Sequence, residues 1–249
     1  MTIPPRQTLE KGPILDPVFI AHYWRLARRP AWAAARHLAG KMRRLGVPRG
    51  ARILDIGCGP GLVTRGLARR APESLLIGLD LSEPMIRQAR QALPGENEPP
   101  RLRFLVADAG RLPFADAAFD LVLSSATLHH VGDPIAYFNE IDRVLAPDGH
   151  AIVSDLRRNA PRWLWPLVWL ADRYEIWRRP RQARSIPEGI ANSFRASYTD
   201  DEIRALLARS ALGRRARHYP RLLLHWIQTP AANERAAASR RSERDDAPA

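Results

Sequence analysis

Two carboxylates and a glycine-rich turn form the first candidate chemical site in this chain. Asp55 lies in an apolar run just before the turn, and Asp80 ends the next apolar run, Leu75–Leu79. An acid at the tip of a second strand can accept hydrogen bonds from ribose hydroxyls. Glycines have no Cβ and tolerate positive φ, so a ligand can lie against bare backbone. The spacing predicts a nucleoside cofactor site that contains Gly57, Gly59 and Gly61.

The spacing of these glycines narrows the class of ligand. Dinucleotide sites usually have G-x-G-x-x-G, whereas this turn has G-x-G-x-G, and Leu62 stands where the last glycine of the dinucleotide pattern would fall. Asp55 would repel a pyrophosphate, but it would attract the ammonium group of an amino acid. S-adenosylmethionine carries an ammonium and a sulfonium and has no phosphate. The turn therefore favours S-adenosylmethionine over a dinucleotide.

The run Ile53–Gly61 reads Ile-Leu-Asp-Ile-Gly-Cys-Gly-Pro-Gly and closely resembles the first motif of class I S-adenosylmethionine-dependent methyltransferases. The resemblance extends over roughly residues 40–155. Within it, Val106–Ala109 is similar to the third-strand segment of the family and Phe119–Ser125 to the fourth strand. The order of these segments is similar to the small-molecule branch, whose members act on quinone precursors, sterols and natural products.

The resemblance implies S-adenosyl-L-methionine as the cofactor and a set of residues that contact it. Asp108 corresponds to the acid that usually contacts the adenine amino group; capping of the turn before Arg111 is its alternative role. Tyr23 lies on an early helix of the kind that closes over the cofactor in similar enzymes, and packing on the sheet is its alternative. The cofactor-binding residues expected from the resemblance are Asp55, Gly57, Cys58, Gly59, Asp80, Leu81, Asp108, Ala109 and Tyr23.

Two adjacent histidines, His129 and His130, follow the fourth predicted strand and are the candidate catalytic residues. Methyl transfer needs a base only when the acceptor is a hydroxyl, an ammonium or an acidic carbon. An imidazole has an unperturbed pKa suited to removing such a proton near neutral pH. Packing or capping of the following turn is the alternative role, and the sequence does not choose between the two residues. The other histidines show no spacing typical of metal ligands, so no metal site is expected.

The secondary-structure elements that must position these residues are predicted from the periodicity of apolar residues and from the glycines and prolines that interrupt it. Residues 51–155 alternate five predicted strands with helices, and residues 214–227 predict a closing antiparallel hairpin. The predicted fold is α/β: a Rossmann-like, seven-stranded, mostly parallel sheet with helices on both faces, N-terminal helices and a helical lid insertion. Thr199 and Glu202 predict a capping box at the start of another helix.

The predicted domain organisation has three parts. Residues 1–46 form an N-terminal arm and helices, with a helix break expected at Pro30. Residues 47–229 form the methyltransferase domain, and residues 230–249 are expected to be a disordered tail because they lack apolar periodicity.

The insertion at about residues 158–197 lies between the fifth strand and the final helix and carries five apolar residues at helical spacing. These residues could cover an apolar substrate, form the core of the insertion itself, or lie at a membrane interface beside nearby arginines. Asp172 and Glu175 weaken the membrane alternative. The stripe consists of Trp163, Leu167, Leu170, Tyr174 and Trp177.

The charge of the chain does not by itself indicate nucleic acid as a substrate. The net charge is +13, but Lys11 and Lys41 are the only lysines among the 39 basic residues. Heavy use of arginine and alanine is also what a GC-rich genome produces, and the arginines are dispersed. The segment after the fourth strand lacks the Asn/Asp-Pro-Pro-aromatic sequence that base-amino methyltransferases use to hold a flipped base. An anionic metabolite or an anionic membrane surface is at least as good a partner.

The cysteine content and the lengths of the apolar runs limit the chemistry open to the chain and the cellular compartment expected for it. Cys58 is the only cysteine, so a disulfide within the chain and a thiolate metal site are excluded. The N-terminus has no basic segment followed by an apolar core, and no run reaches the ~20 apolar residues of a membrane span. We therefore expect a cytoplasmic protein, with peripheral membrane contact left open and the oligomeric state undetermined.

The sequence predicts an enzyme that transfers a methyl group from S-adenosylmethionine to a small hydrophobic or anionic metabolite. A nucleic-acid or protein methyltransferase is the alternative among enzymes. A regulatory protein that binds the cofactor without catalysis is the alternative from another class.

Overall fold

The computed structural model describes residues 6, 16–91, 101–183 and 189–231. Within them, seven strands form one sheet in the order β3-β2-β1-β4-β5-β7-β6. All pairings from β3 to β5 are parallel, and β7 pairs antiparallel with both β5 and β6. The predicted Rossmann-like sheet is confirmed. The strands are β1 Arg52–Ile56, β2 Leu75–Asp80, β3 Leu102–Val106, β4 Phe119–Ser125, β5 Leu145–Leu156, β6 Arg217–Pro220 and β7 Leu224–Gln228.

Helices cover both faces of the sheet, because successive strand residues point to opposite sides. On β4, Leu121 and Leu123 join the core formed with the first three helices, whereas Val122 joins the core formed with α4 and α7. All three side chains are buried. The α-helices are α1 Pro17–Leu45, α2 Leu62–Ala68, α3 Glu83–Gln91, α4 Pro134–Val144, α5 Trp165–Arg178, α6 Ile190–Ala196 and α7 Asp200–Ala208.

Helix α1 is continuous, so the break predicted at Pro30 is wrong. Asp16 caps the helix by accepting a hydrogen bond from the Phe19 amide at 2.7 Å, and Gly46 ends it with φ +80°. Proline removes one helical hydrogen bond and crowds the preceding turn. Pro30 is exposed, and residues of α1 on both sides of it are buried, among them Ile20 and Ala35. Burial of both halves holds the helix together across the proline.

The C-terminal elements follow the predicted pattern. Thr199 and Glu202 form the capping box of α7, with each side chain bonded to the backbone of the other residue. Strands β6 and β7 form the expected hairpin. Residues 147–149 lie inside β5, where Leu145 pairs with Phe119 but His150 pairs with Leu121, so the intervening residues bulge out of the sheet.

Some expectations fall outside the part of the chain that the structure describes. These are most of the N-terminal arm, all but the first two residues of the C-terminal tail, and five residues of the insertion, 184–188. Among the helices that are described, none has the length and apolar character needed to cross a membrane.

Candidate active site

The turn between β1 and α2 approaches the end of β4 too closely for any residue except glycine at position 57. Gly57 has φ +69°, and a Cβ added there would lie 2.1 Å from Oγ1 of Thr127. Thr127 Oγ1 in turn lies 3.3 Å from the carbonyl oxygen of Ile56. The turn after β4, which carries both candidate histidines, is therefore packed directly against the glycine turn.

Gly59 faces open space instead. Its φ is +52°, and a Cβ added there would meet no atom within 4 Å. Its amide donates a hydrogen bond of 2.9 Å to Oδ2 of Asp80, and Oδ1 of Asp80 accepts another of 2.9 Å from Ser82. The glycine turn and the end of β2 are thus joined through one carboxylate, and bare backbone is left exposed beside it. We call the turn Gly57–Gly59, together with Asp55 and Asp80, the cradle. Its open backbone beside two carboxylates is the arrangement expected of a ligand site.

Burial raises the pKa of both carboxylates of the cradle. Asp55 is 4% exposed, and burial raises its pKa to about 6, although the hydroxyl of Thr64 donates a 2.6 Å hydrogen bond to it. Burial also raises the pKa of Asp80, against the effect of its backbone hydrogen bonds. Buried carboxylates favour the neutral form until a cation is brought beside them. The cradle is therefore suited to a positively charged ligand.

Cys58 contributes backbone to the cradle and not its thiol. Its amide donates a 2.9 Å hydrogen bond to the carbonyl oxygen of Leu79. Its sulfur lies 2.9 Å from the position that a Cβ on Gly78 would take, so the thiol packs on β2. Burial raises the pKa of this thiol well above its ordinary value. Cys58 is consequently a thiol and not a thiolate, which leaves it without nucleophilic character.

The expected adenine side of the cradle carries exposed apolar side chains. Leu81 is 55% exposed and Val106 is 43% exposed, at the ends of β2 and β3, which are neighbours in the sheet. Asp108 follows β3, and its Oδ1 accepts a 2.8 Å hydrogen bond from Gly110, so it does cap its own turn. Ala109 is half-buried against the core. The capping bond uses Oδ1 of Asp108, and Oδ2 is the carboxylate oxygen that it does not use.

Helix α1 brings Tyr23 to the cradle. Burial of its hydroxyl, followed by the negative charge of Asp80, raises the pKa of Tyr23. Its side chain is nevertheless 44% exposed, and its ring stacks on Phe19 at 6.3 Å. The ring of Tyr23 is therefore stacked on its own helix and partly exposed, and the charge of Asp80 acts on its hydroxyl.

The two candidate histidines lie in different environments. His129 is 3% exposed, and its Nδ1 lies 2.7 Å from Oδ1 of Asp155 on β5. The other carboxylate oxygen of Asp155 accepts a 2.7 Å hydrogen bond from the His129 amide. A carboxylate bonded to Nδ1 fixes the tautomer that carries its proton there and leaves Nε2 as the basic nitrogen. No sequence signal indicated a role for Asp155, because its partner lies 26 residues away in the chain.

His130 is exposed, and its ring lies 4.2 Å from the ring of His129. Desolvation of the imidazole by the surrounding protein, followed by the neighbouring His129, lowers the pKa of His130 to about 4 despite the opposing charge of Asp155. His130 is thus neutral near pH 7, and a nitrogen of such low basicity is a hydrogen-bond partner more than a proton acceptor. The backbone before the histidines is strained, because Ala126 has φ +53° without being glycine.

Arg6 closes one side of the histidine turn, a role that no sequence signal indicated. Its Nη2 donates a 3.3 Å hydrogen bond to the carbonyl oxygen of His129, and its Nε donates one of 2.7 Å to Ala196 at the end of α6. Its guanidinium lies 4.1 Å from the ring centroid of Tyr198. Arg6 therefore connects the insertion to the rim of the candidate site.

The insertion exposes the apolar face that one sequence interpretation placed in its own core, and that interpretation is wrong. We call the five residues of this face the aromatic stripe; each is between 56% and 68% exposed. The opposite face of α5 buries Val168, and Trp165 packs against Phe194 of α6. The aromatic stripe consists of Trp163, Leu167, Leu170, Tyr174 and Trp177.

A second cluster of polar residues supports the sheet beside the insertion. Nε2 of His218 lies 2.9 Å from Nδ1 of His225, and that nitrogen lies 3.4 Å from Asp200. Arg157 donates hydrogen bonds to both carboxylate oxygens of Asp200 and already balances its charge. Each member thus has a protein partner, and the cluster joins β5 and the hairpin to the start of α7.

Comparison with known families places a methyltransferase domain over the cradle and the histidine turn. Residues 54–153 match the family described as "Methyltransferase domain". The chain is 37% identical over 163 residues to a malonyl-[acyl-carrier protein] O-methyltransferase of Geobacter sulfurreducens, a match that covers 64% of this chain and 55% of the relative. It is 36% identical over 125 residues to a ubiquinone biosynthesis O-methyltransferase of Alkalilimnicola ehrlichii, covering 50% and 49%. The chain therefore spans about half the length of these curated relatives.

Solved structures extend the similarity of the fold beyond that segment. The crystal structure of a protein described as a putative S-adenosyl-L-methionine-dependent methyltransferase from Methanococcus maripaludis superposes with a TM-score of 0.63. The alignment covers 93% of this chain and 97% of the other at 18% sequence identity. At this identity the comparison establishes a shared fold, including the elements outside residues 54–153.

Proposed function

Because residues 54–153 match the family described as "Methyltransferase domain", we propose that this protein is a class I S-adenosylmethionine-dependent enzyme that methylates a small apolar or anionic metabolite. The relatives are named for methylation of a malonyl group on a carrier protein and for ubiquinone biosynthesis. A malonyl group is an acid, and a ubiquinone precursor carries an apolar chain. An acidic acceptor suits a chain with a net charge of +13.

The observation that carries the proposal is the cradle of Gly59 and Asp80. S-adenosylmethionine, when bound, supplies an electrophilic methyl group on a sulfonium. The backbone at Gly59 would lie against its amino-acid portion, because no side chain occupies that space. Asp80 has lone pairs beyond its two backbone bonds that can accept from ribose hydroxyls. Asp55 would supply the negative charge that a ligand ammonium requires.

His129 is the residue best placed to hold a proton from the acceptor. Asp155 orients its imidazole and stabilises it when charged, in the same way that the acid of a catalytic triad supports its histidine. For a hydroxyl acceptor, the O–H bond would break and its proton would pass to Nε2 of His129. The oxygen would form the new bond to the methyl carbon while the bond from that carbon to the sulfonium sulfur breaks, and the neutral thioether would be the leaving group. Alignment of the reacting atoms would supply most of the acceleration.

Calorimetric titration with S-adenosylmethionine tests the cofactor assignment. We expect wild-type protein to bind and the Asp80→Asn variant to bind at least tenfold more weakly, because an amide accepts fewer hydrogen bonds and carries no charge. Asp116→Asn is the matched control, since this carboxylate is exposed and lies on a loop bonded to Arg143. Failure of the wild-type protein to bind would refute the assignment.

The acceptor class is tested by incubating the protein with labelled methyl donor and fractionated extracts. We expect label in the lipid or small-acid fraction. Label that enters only RNA, or only protein and is not released when neutral hydroxylamine cleaves carrier-bound thioesters, would replace the proposed substrate class with a macromolecule. Binding of the donor without transfer to any fraction would favour a regulatory protein that keeps the fold.

A further inference from the structure

The aromatic stripe of the insertion is a feature of the described residues that the proposed chemistry does not use. Its five residues repeat at helical spacing along the 3₁₀ turn Arg162–Leu164 and α5, and all of them are exposed. Trp169, beside the stripe, is also 56% exposed. Contiguous apolar surface of this kind on one helix face marks an interaction site.

The opposite face of the same helix fixes the orientation of the stripe. Val168 is buried, and Asp172 accepts a 3.1 Å hydrogen bond from the amide of Ala191 at the start of α6. Arg179 is buried and paired with Glu175, with its guanidinium 4.9 Å from the ring centroid of Phe19 on α1. These contacts hold α5 on α1 and α6, so the stripe points away from the body of the protein.

The charges around the stripe are of one sign. Asp172 and Glu175 are the only acids in the described part of the insertion, and both are engaged on the inward face. The outward charges are arginines that lie over aromatic rings: Arg173 is 5.0 Å from the ring centroid of Trp169 and Arg178 is 5.6 Å from that of Tyr174. Cations held at the level of exposed aromatic rings match the headgroup layer of an anionic membrane.

We propose that the aromatic stripe docks this protein on the surface of an anionic phospholipid bilayer. The rings of Trp163 and Tyr174 enter the boundary between headgroups and acyl chains, where amphipathic aromatic side chains are favoured. Arg173 and Arg178 meet the lipid phosphates. A protein partner would require a complementary acidic or apolar surface, whereas a bilayer needs only the combination of apolar and cationic groups that the helix presents. The docking does not depend on the methyl acceptor, so it can be tested without one.

Vesicle flotation measures the docking directly, with vesicles of phosphatidylcholine alone and vesicles that also contain phosphatidylglycerol. We expect wild-type protein to float with the anionic vesicles and much less with the neutral ones. The combined variant Trp163→Gln, Leu167→Gln and Leu170→Gln should lose at least tenfold in partitioning. It should keep its melting temperature, because the three side chains are exposed. Leu222→Gln is the matched control, since this leucine is 52% exposed on the turn between β6 and β7.

Two double arginine variants measure how much positive charge contributes to vesicle binding, apart from the apolar side chains of the aromatic stripe. Arg173→Gln with Arg178→Gln should weaken partitioning to anionic vesicles roughly 10- to 30-fold, and raised salt should weaken the wild type in the same way. Arg209→Gln with Arg217→Gln removes the same charge from exposed positions outside the insertion and should have little effect. Brominated lipids should quench the tryptophan fluorescence of the wild type.

Three outcomes would overturn the proposal. The first is that wild-type protein fails to float with either vesicle. The second is that both arginine pairs weaken binding equally while the stripe variant does not, since binding would then follow total charge. The third is that the stripe variant converts a dimer into a monomer by sedimentation with no change in flotation, which would assign the face to a second copy of the chain.

Discussion

Alanine at Gly59 should mainly weaken cofactor binding and alanine at Gly57 should mainly lower stability, although the two glycines are separated by one residue and both have positive φ. A Cβ at Gly59 meets no atom within 4 Å, whereas a Cβ at Gly57 meets three atoms of Thr127 between 2.1 and 2.8 Å. The first substitution fills the space reserved for a ligand. The second forces the β4 turn away from the glycine turn.

The magnitudes follow from these distances. Left-handed backbone costs a non-glycine residue roughly 1–2 kcal/mol, and the loss of freedom in the unfolded chain returns about 0.4–1 kcal/mol. Gly59→Ala should therefore lower the free energy of unfolding by about 1 kcal/mol, or about 2–4 °C in melting temperature for a chain of this size. Gly57→Ala adds overpacking of roughly 1–3 kcal/mol. Its melting temperature should fall about two to four times as far.

Thermal unfolding and calorimetric titration with S-adenosylmethionine together check the pair. Gly59→Ala should stay folded but bind the cofactor at least tenfold more weakly. Adding Thr127→Gly to Gly57→Ala removes all three clashing atoms and should recover the steric part of the loss, seen as a coupling energy in the double-mutant cycle. Wild-type affinity in Gly59→Ala would refute the cradle. Equal destabilisation by the two single substitutions would refute the contact between Gly57 and Thr127.

Three further predictions concern the catalytic pair, the buried acid and the last helix. His129→Gln and Asp155→Asn should each slow methyl transfer at least a hundredfold, in line with the loss of a general base. Their cofactor affinity, measured by calorimetry, should stay unchanged. A turnover within twofold of wild type in either variant would show that His129 is not a general base. Cofactor affinity should rise as the pH increases from about 5 to 7, because burial raises the pKa of Asp55 to about 6 and its carboxyl attracts the ligand ammonium only when ionised. Asp55→Asn should remove this pH-dependence. If the pH-dependence persists in Asp55→Asn, another group is responsible for it. Thr199→Ala should lower the free energy of unfolding by about 0.5–2 kcal/mol in urea titrations, and no loss would mean that Glu202 alone caps the helix.

The strand and helix order was predictable because local signals agree with one another. The apolar run of β1, the glycine turn and the helical pattern after it lie within a short stretch of chain, and Asp80 is at the spacing typical of a βαβ unit. The Thr199 capping box is equally local. Pro30 was misjudged because local geometry favours a break, whereas burial of α1 on both sides of it depends on helices distant in the sequence.

The candidate site was predictable as a set of positions but not as a set of roles. The sequence placed His129 and His130 at one rim and left them equivalent. Only the pairing of β4 with β5, which aligns Ser125 with Ser154, brings Asp155 beside the histidine turn and pairs its carboxylate with His129. The role of Arg6 likewise depends on contacts across 123 and 190 residues.

The residues alone determined the class of ligand, since spacing and charge around the glycine turn are properties of contiguous chain. They also determined that the insertion carries an apolar face at helical spacing. Tertiary structure alone decided that Gly57 is needed for close packing against Thr127, whereas Gly59 leaves open space beside the backbone. It also decided which histidine is paired with a carboxylate and that the aromatic stripe faces outward. Each of these depends on which distant segments the sheet order brings into contact, and no local pattern in the chain encodes that.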